Sequence, residues 1–138
     1  STEALKIAEE NGQNLKITDR VEWRQGDYLK AFDEEDIFDG IFSNPPYIPT
    51  KDIGGLSREV KHEPRLALDG GTDGLYFYHL LAKGAAEHLK PGGFLAVEFG
   101  IGQATDILEM FRKSAQYEDF EVIKDYGGIE RALYCRKK

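Results

Sequence analysis

An α/β domain with a mostly parallel sheet closed by an antiparallel hairpin is the fold class this sequence predicts. Three observations predict it. Amphipathic helical stretches alternate with short apolar strands along the chain. One of those strands, Phe94-Leu95-Ala96-Val97-Glu98-Phe99, is almost continuously apolar, as in a strand covered on both faces. The last two strands, Phe120 to Lys124 and Ile129 to Arg136, flank a short turn through Asp125 to Gly128 and so read as a hairpin.

The elements follow in order. A helix is predicted from about Thr2 to Leu15: Ser1 or Thr2 can cap it, Glu3 suits the positive end of its dipole, and Leu5, Ala8 and Leu15 form a partial apolar face. Val21-Glu22-Trp23-Arg24-Gln25 alternates and predicts a strand, followed by a turn at Gly26-Asp27. Phe38 to Ser43 predicts a second strand, stopped by Pro45-Pro46. Residues 45 to 74 hold four of the five prolines and form a long irregular stretch, a length at which loops commonly bind ligands or act as lids. A helix from about Leu75 to Leu89 places Phe77, Tyr78, Leu81, Ala85, His88 and Leu89 on one face, and Lys90-Pro91-Gly92-Gly93 ends it. After the apolar strand, Gly100 and Gly102 mark a turn, and Ala104, Ile107, Leu108, Phe111 and Ala115 make a second amphipathic helix. No repeat, low-complexity tract or linker divides the chain, so residues 1–138 are expected to form a single domain.

Composition narrows the function. With 18 basic and 25 acidic residues the net charge is −7, which works against holding duplex DNA through its phosphates. No apolar run approaches the roughly 18 residues of a membrane helix, and Ser1-Thr2-Glu3-Ala4 lacks the basic and apolar regions of a signal peptide. Cytoplasm is the expected compartment. The single cysteine, Cys135, allows neither an internal disulfide nor a cysteine-cluster metal site.

Chemistry concentrates at Ser43-Asn44-Pro45-Pro46-Tyr47-Ile48-Pro49, directly after a strand, where open α/β sheets place their ligands. Asn44 offers one carbonyl acceptor and two donors. Pro45 has no N–H but keeps a carbonyl, and Pro46 pushes Pro45 into an extended conformation that aims it. Tyr47 supplies a flat face for stacking. Together they suit gripping a planar NH2 group, an amide or the exocyclic amine of a base, with its nitrogen left facing an electrophile. An Asn-Pro run also serves simply as a strand-ending turn.

Asn44-Pro45-Pro46-Tyr47 resembles the Asn-Pro-Pro-Tyr motif of amino-directed, S-adenosylmethionine-dependent methyltransferases. The residues Glu63-Pro64-Arg65-Leu66-Ala67-Leu68-Asp69-Gly70-Gly71, Asp73-Gly74-Leu75, Tyr78, Leu89 to Gly93, Glu98-Phe99-Gly100 with Gln103, and Lys124-Asp125 with Gly128 and Arg131 follow in the order of one family. With them the chain resembles the HemK family, the glutamine-N5 methyltransferases of peptide-chain release factors. That resemblance implies a Rossmann-like class I methyltransferase sheet and S-adenosyl-L-methionine as cofactor. It implies methylation of the glutamine in a release factor's Gly-Gly-Gln loop, with no metal. Asn44 and the Pro45 carbonyl would hold the target amide, Pro46 and Tyr47 would shape and stack its slot, and Tyr28, Asp27 and Asn44 would lie at the cofactor.

The chain departs from that family by a large margin. The upstream glycine-rich turn that cradles the cofactor, the acidic residue that binds its ribose and the N-terminal helical domain have no counterpart in these residues. In the family's sheet order, 3-2-1-4-5-7-6, the chain would supply strands 3 to 7 and lack the first two. The expectation is the C-terminal portion of a longer catalytic domain, binding cofactor weakly by itself, with sheet edges open to self-association. The alternatives are an amino-directed methyltransferase acting on nucleic acid or another protein, or a non-catalytic truncated module that self-associates. Elsewhere, His62, His79 and His88 form no ligand cluster by spacing. Arg65 suits either an anion or a loop staple, Glu98 suits a carboxylate that bonds loop amides, and Trp23 suits a core position.

Overall fold

Ser1 starts the first helix as expected: its Oγ accepts from the Ala4 amide at 3.2 Å, capping α1 (Thr2–Asn14). The structure, a computed structural model, describes all of residues 1–138 and divides into two compact units, residues 1–34 and 35–138.

The first unit consists of α1 and irregular chain. The predicted strand at Val21–Gln25 does not form; the segment belongs to no sheet. Its alternation is genuine, but a strand is stabilised by the ladder it joins, and no neighbouring strand pairs with this one. Arg24 instead bonds Glu22 at 2.6 Å, and the half-buried Trp23 ring lies against Gly12 of α1, in space that any side chain there would fill.

The second unit is built on a four-stranded mixed sheet in the order β1-β2-β4-β3, comprising β1 (Phe38–Ser43), β2 (Leu89–Glu98), β3 (Tyr117–Lys124) and β4 (Glu130–Lys137). This is the 4-5-7-6 part of the expected order. β1 and β2 run parallel, with Gly40 beside Phe94 and Ser43 beside Val97; β4 lies antiparallel to both β2 and β3. The hairpin turn is held by Asp125, whose Oδ1 accepts from the Gly127 and Ile129 amides at 2.8 and 3.0 Å while Oδ2 accepts from Arg131 at 3.0 Å.

Register and the period of two place Ile41, Leu95, Val97, Leu133 and Cys135 on one face, where all are buried. After the one-turn α2 (Arg65–Leu68), the buried sides of α3 (Tyr76–Gly84) and α4 (Ala104–Lys113) supply Tyr78, Leu81, Ala82, Ala104, Ile107 and Phe111 to this core. Each of the larger side chains contributes about 1.5–3 kcal/mol by leaving water. Two buried tyrosines spend their hydroxyls on backbone: Tyr78 donates to Glu98 O at 2.7 Å and Tyr117 to Leu81 O at 3.1 Å.

The predicted helix to Leu89 is shorter. Gly84 ends α3, a 3-10 turn covers Ala85–His88, and β2 already begins at Leu89, opposite Phe38. The predicted stop at Lys90 to Gly93 thus lies inside β2, where the register of the β1–β2 pair shifts.

The opposite face carries Phe42, Phe94 and Tyr134. Phe42 is 79% exposed and meets Phe94 edge-on at 5.2 Å, and Phe94 stacks on Tyr134 at 5.7 Å. β1 pairs with β2 on one side only, so it is an edge strand.

Candidate active site

Strand β1 delivers Asn44 to the carboxyl end of the parallel β1–β2 pair, and Pro45 stops the strand by removing a ladder donor. Pro45 is buried, Pro46 and Tyr47 are half-buried, and the Asn44 side chain is exposed. No hydrogen bond within the chain engages the Asn44 carboxamide. It is not turned inward as a local cap. Asn44, Pro45 and Tyr47 open together onto a cavity of about 460 Å³, whose other walls include Leu56, Val60, Glu63 and Leu68. Pro46 does not line it; its carbonyl faces Gly70, where a Cβ would come within 2.8 Å.

The shape of this slot is set from behind. The segment 47–50 pairs with 68–71 as a short parallel ladder: Ile48 N donates to Leu68 O at 3.0 Å, Gly70 N to Ile48 O at 2.9 Å and Thr50 N to Gly71 O at 2.8 Å. Asp69 ties the two segments further. Its Oδ1 accepts from Thr50 Oγ1 at 2.6 Å and from the Gly71 amide at 3.1 Å, and its Oδ2 accepts from Arg65 Nε and Nη2, both at 3.1 Å. The Thr50 hydroxyl above all, then the Gly71 amide and Arg65, hold the Asp69 carboxyl below its ordinary range. Of its two readings Arg65 takes the staple.

Gln103 closes the frame. Its Nε2 donates to Tyr47 O at 3.0 Å, and its Oε1 accepts from Gly100 N at 2.9 Å. A Cβ at Gly100 would stand 3.0 Å from the Tyr47 ring, and Gly74, at φ +80°, leaves no room for one against Tyr47 O. The residues from Arg65 to Gly74 that carry the resemblance therefore act here as a scaffold for the Asn44–Tyr47 segment. The amide-bonding part expected of Glu98 is played by Gln103 and Asp69; the Glu98 side chain is exposed.

Asp27 and Tyr28 lie in the first unit. Asp27 Oδ2 accepts from Lys30 Nζ at 2.7 Å. Tyr28 opens a 3-10 turn (Tyr28–Ala31) at φ +61°, a left-handed backbone uncommon for an aromatic residue and typical of positions their surroundings hold in place. Among the histidines, His88 Nδ1 stands 3.1 Å from Asp36 O, while His62 and His79 are exposed. The cavity walls Leu56 and Val60 carried no signal in the sequence. They stand 12 and 16 residues from Asn44 in an irregular stretch, where periodicity says nothing about direction.

The fold gives a class first: it is that of α/β methyltransferases. The chain is similar to a methyltransferase of Pyrococcus furiosus of known structure, with a TM-score of 0.71 and 25% identity over 99% of this chain and 59% of that one. Among curated proteins it matches the release factor glutamine methyltransferase of Moorella thermoacetica at 41% identity over 138 residues, 100% of this chain and 48% of that protein. The release factor glutamine methyltransferase of a Synechocystis species matches at 42% over 138 residues, 99% of this chain and 46% of that protein. The chain is similar along its whole length to release factor glutamine methyltransferases, and it spans about half the length of the curated relatives it matches. No family model matches it.

Proposed function

We propose that the whole protein methylates the side-chain amide of the glutamine in the Gly-Gly-Gln loop of a peptide-chain release factor, in the cytoplasm, and that this chain supplies the acceptor slot. The single observation that carries this reading is the exposed, unengaged Asn44 carboxamide opening with Pro45 and Tyr47 onto the 460 Å³ cavity. The Asn44 side-chain oxygen and the Pro45 carbonyl would accept from the two N–H groups of the amide. The Tyr47 ring would stack on its plane, and Pro46 would keep both acceptors from swinging. An amide nitrogen is a poor nucleophile because its lone pair is delocalised, so orientation and preorganised acceptors carry most of the catalysis. The same oxygens stabilise the positive charge that grows on nitrogen during attack, and the proton leaves readily afterwards.

S-adenosyl-L-methionine is the proposed cofactor, and it would supply the electrophilic methyl group. In the second unit Asn44 would lie at its edge; for Tyr28 and Asp27, in the first unit, a place at the cofactor rests on the resemblance alone. The one Gly-x-Gly turn between a strand and a helix, Gly100 to Gly102, does not form a nucleotide cradle. The Tyr47 ring and the Gln103 carboxamide occupy the space above Gly100. We therefore expect weak cofactor affinity from the chain by itself, and a calorimetric titration giving tight binding overturns that part of the reading.

The decisive experiment incubates the full-length protein with labelled cofactor and either a release factor or nucleic acid. Label in the release-factor glutamine, lost in Asn44→Ala, supports the reading. Label in nucleic acid favours a base amine as acceptor, against which the net charge of −7 already weighs.

A further inference from the structure

We propose that Gln103 is a positioning residue for the acceptor slot: its carboxamide ties the turn after β2 to the Asn44–Tyr47 segment and so sets where the Tyr47 ring stands. The proposal rests on the acceptor-slot reading above.

Gln103 occupies the N-cap of α4, a position where a short polar side chain usually bonds the helix's own first amides. Here no such bond is made. The side chain reaches away from its helix to a partner 56 residues earlier, Tyr47 O, at 3.0 Å. The same Nε2 stands 3.4 Å from Gly74 O, and Oε1 accepts from Gly100 N at 2.9 Å. Because both ends of the carboxamide are used, only one orientation serves. The flipped group would set an oxygen against Tyr47 O and an N–H against the Gly100 amide.

Two glycines make the room. A Cβ at Gly74 would lie 2.8 Å from Gln103 Nε2, and one at Gly100 would lie 3.0 Å from both Gln103 Oε1 and the Tyr47 ring. Three loops from three parts of the chain thus meet on one side chain. Gln103 does not line the cavity, so it acts on the acceptor through Tyr47 and not by touch.

The test uses Gln103→Ala and Gln103→Glu in this chain and in the full-length protein. A Glu carboxylate can still accept from Gly100 but cannot donate to Tyr47 O. Once protonated it regains one O–H donor. Q103E should therefore behave like Q103A at neutral pH and return towards wild type in acid, with a midpoint above the ordinary glutamate value of about 4.3, because its ionised form faces carbonyl oxygens. In amide hydrogen exchange on the chain, both variants should speed exchange at Ile48, Thr50 and Gly70 at least about tenfold while Leu95, Val97 and Leu133 keep their protection. In the full-length protein, kcat on release factor should fall about tenfold or more with KM little changed, as misplacement of a reacting group does.

Exchange that is unchanged, or faster throughout the sheet, overturns the proposal, as does a Q103E variant with no recovery in acid. If the wild-type full-length protein transfers no methyl group to release factor, the functional reading fails. The exchange and titration results still decide whether Gln103 holds the slot.

Discussion

Two stretches of this chain carry no strand and only short helical turns, residues 17–34 and 44–74, and they are irregular in different ways. The first is held by exposed ion pairs such as Lys30–Asp27 and Arg24–Glu22, worth at most about 1 kcal/mol each. In its unit the only buried residue is Gly12. The second is tied by a backbone ladder, by four hydrogen bonds onto Asp69 and by Gln103, and it rests on Leu68, Gly70 and Gly74, all buried. The contrast teaches that an irregular backbone holds a defined shape when its polar groups are satisfied from inside the same unit. A site that must orient a weak nucleophile needs that second kind of loop.

The largest effect separates the two units. Phe111 is fully buried, with its ring 5.3 Å from Tyr117, so Phe111→Ala should cost about 3–5 kcal/mol in urea unfolding followed by circular dichroism. Trp23→Ala should cost less than about 1 kcal/mol, the ordinary range for sites without a packed core. Equal costs would break the comparison. Trp23 is the only tryptophan, so its fluorescence reports the first unit separately.

Next comes the slot. Asn44→Ala should lower kcat/KM of the full-length protein about a hundredfold with the melting temperature unchanged, since the exposed side chain supports nothing structural. Gly74→Ala forces a side chain onto a φ of +80° and against Tyr47 O, so it should lower both activity and stability, the latter by roughly 1–3 kcal/mol.

A smaller effect follows pH. The Asp69 carboxyl titrates below its unfolded value of about 3.9, so its contribution is complete above that value and is lost as pH falls through the folded one. The Gly71 amide should lose protection selectively on acidification below about pH 4, and Asp69→Asn should remove that dependence. If protection in 17–34 falls in step, the two stretches are not independent.

The smallest concerns Cys135. Burial pushes its thiol up to about 12. The unfolded thiol ionises near 8.5, so stability should decline from there towards 12 as the unfolded form loses its proton first. Iodoacetamide at pH 8.5 should label it only at the rate of unfolding.

Much of this was readable from residue order. Phe38–Ser43 appears as a strand with the bounds the apolar alternation and Pro45-Pro46 set, and the hairpin turns at Asp125 to Gly128. Strand Val21–Gln25 was legible as alternation yet is absent, because alternation chooses faces and only a neighbour supplies a ladder. Asn44, Pro45 and Tyr47 could be singled out because proline chemistry is local. Leu56 and Val60 could not, since nothing near them in the chain records what they face.

The amino-acid order alone determined most of the helices and strands, the breaks set by Pro45-Pro46 and by the turn at Asp125 to Gly128, and which residue types can hold an amide. Those properties depend on backbone sterics and on side chains a few positions apart. The tertiary structure decided that Asn44 stays unengaged beside an open cavity, that Arg65 staples Asp69, and that Gln103 leaves its own helix to hold Tyr47. Each of these joins residues from different segments or depends on the space between them, and such contacts exist only once the sheet has brought the loops to one rim.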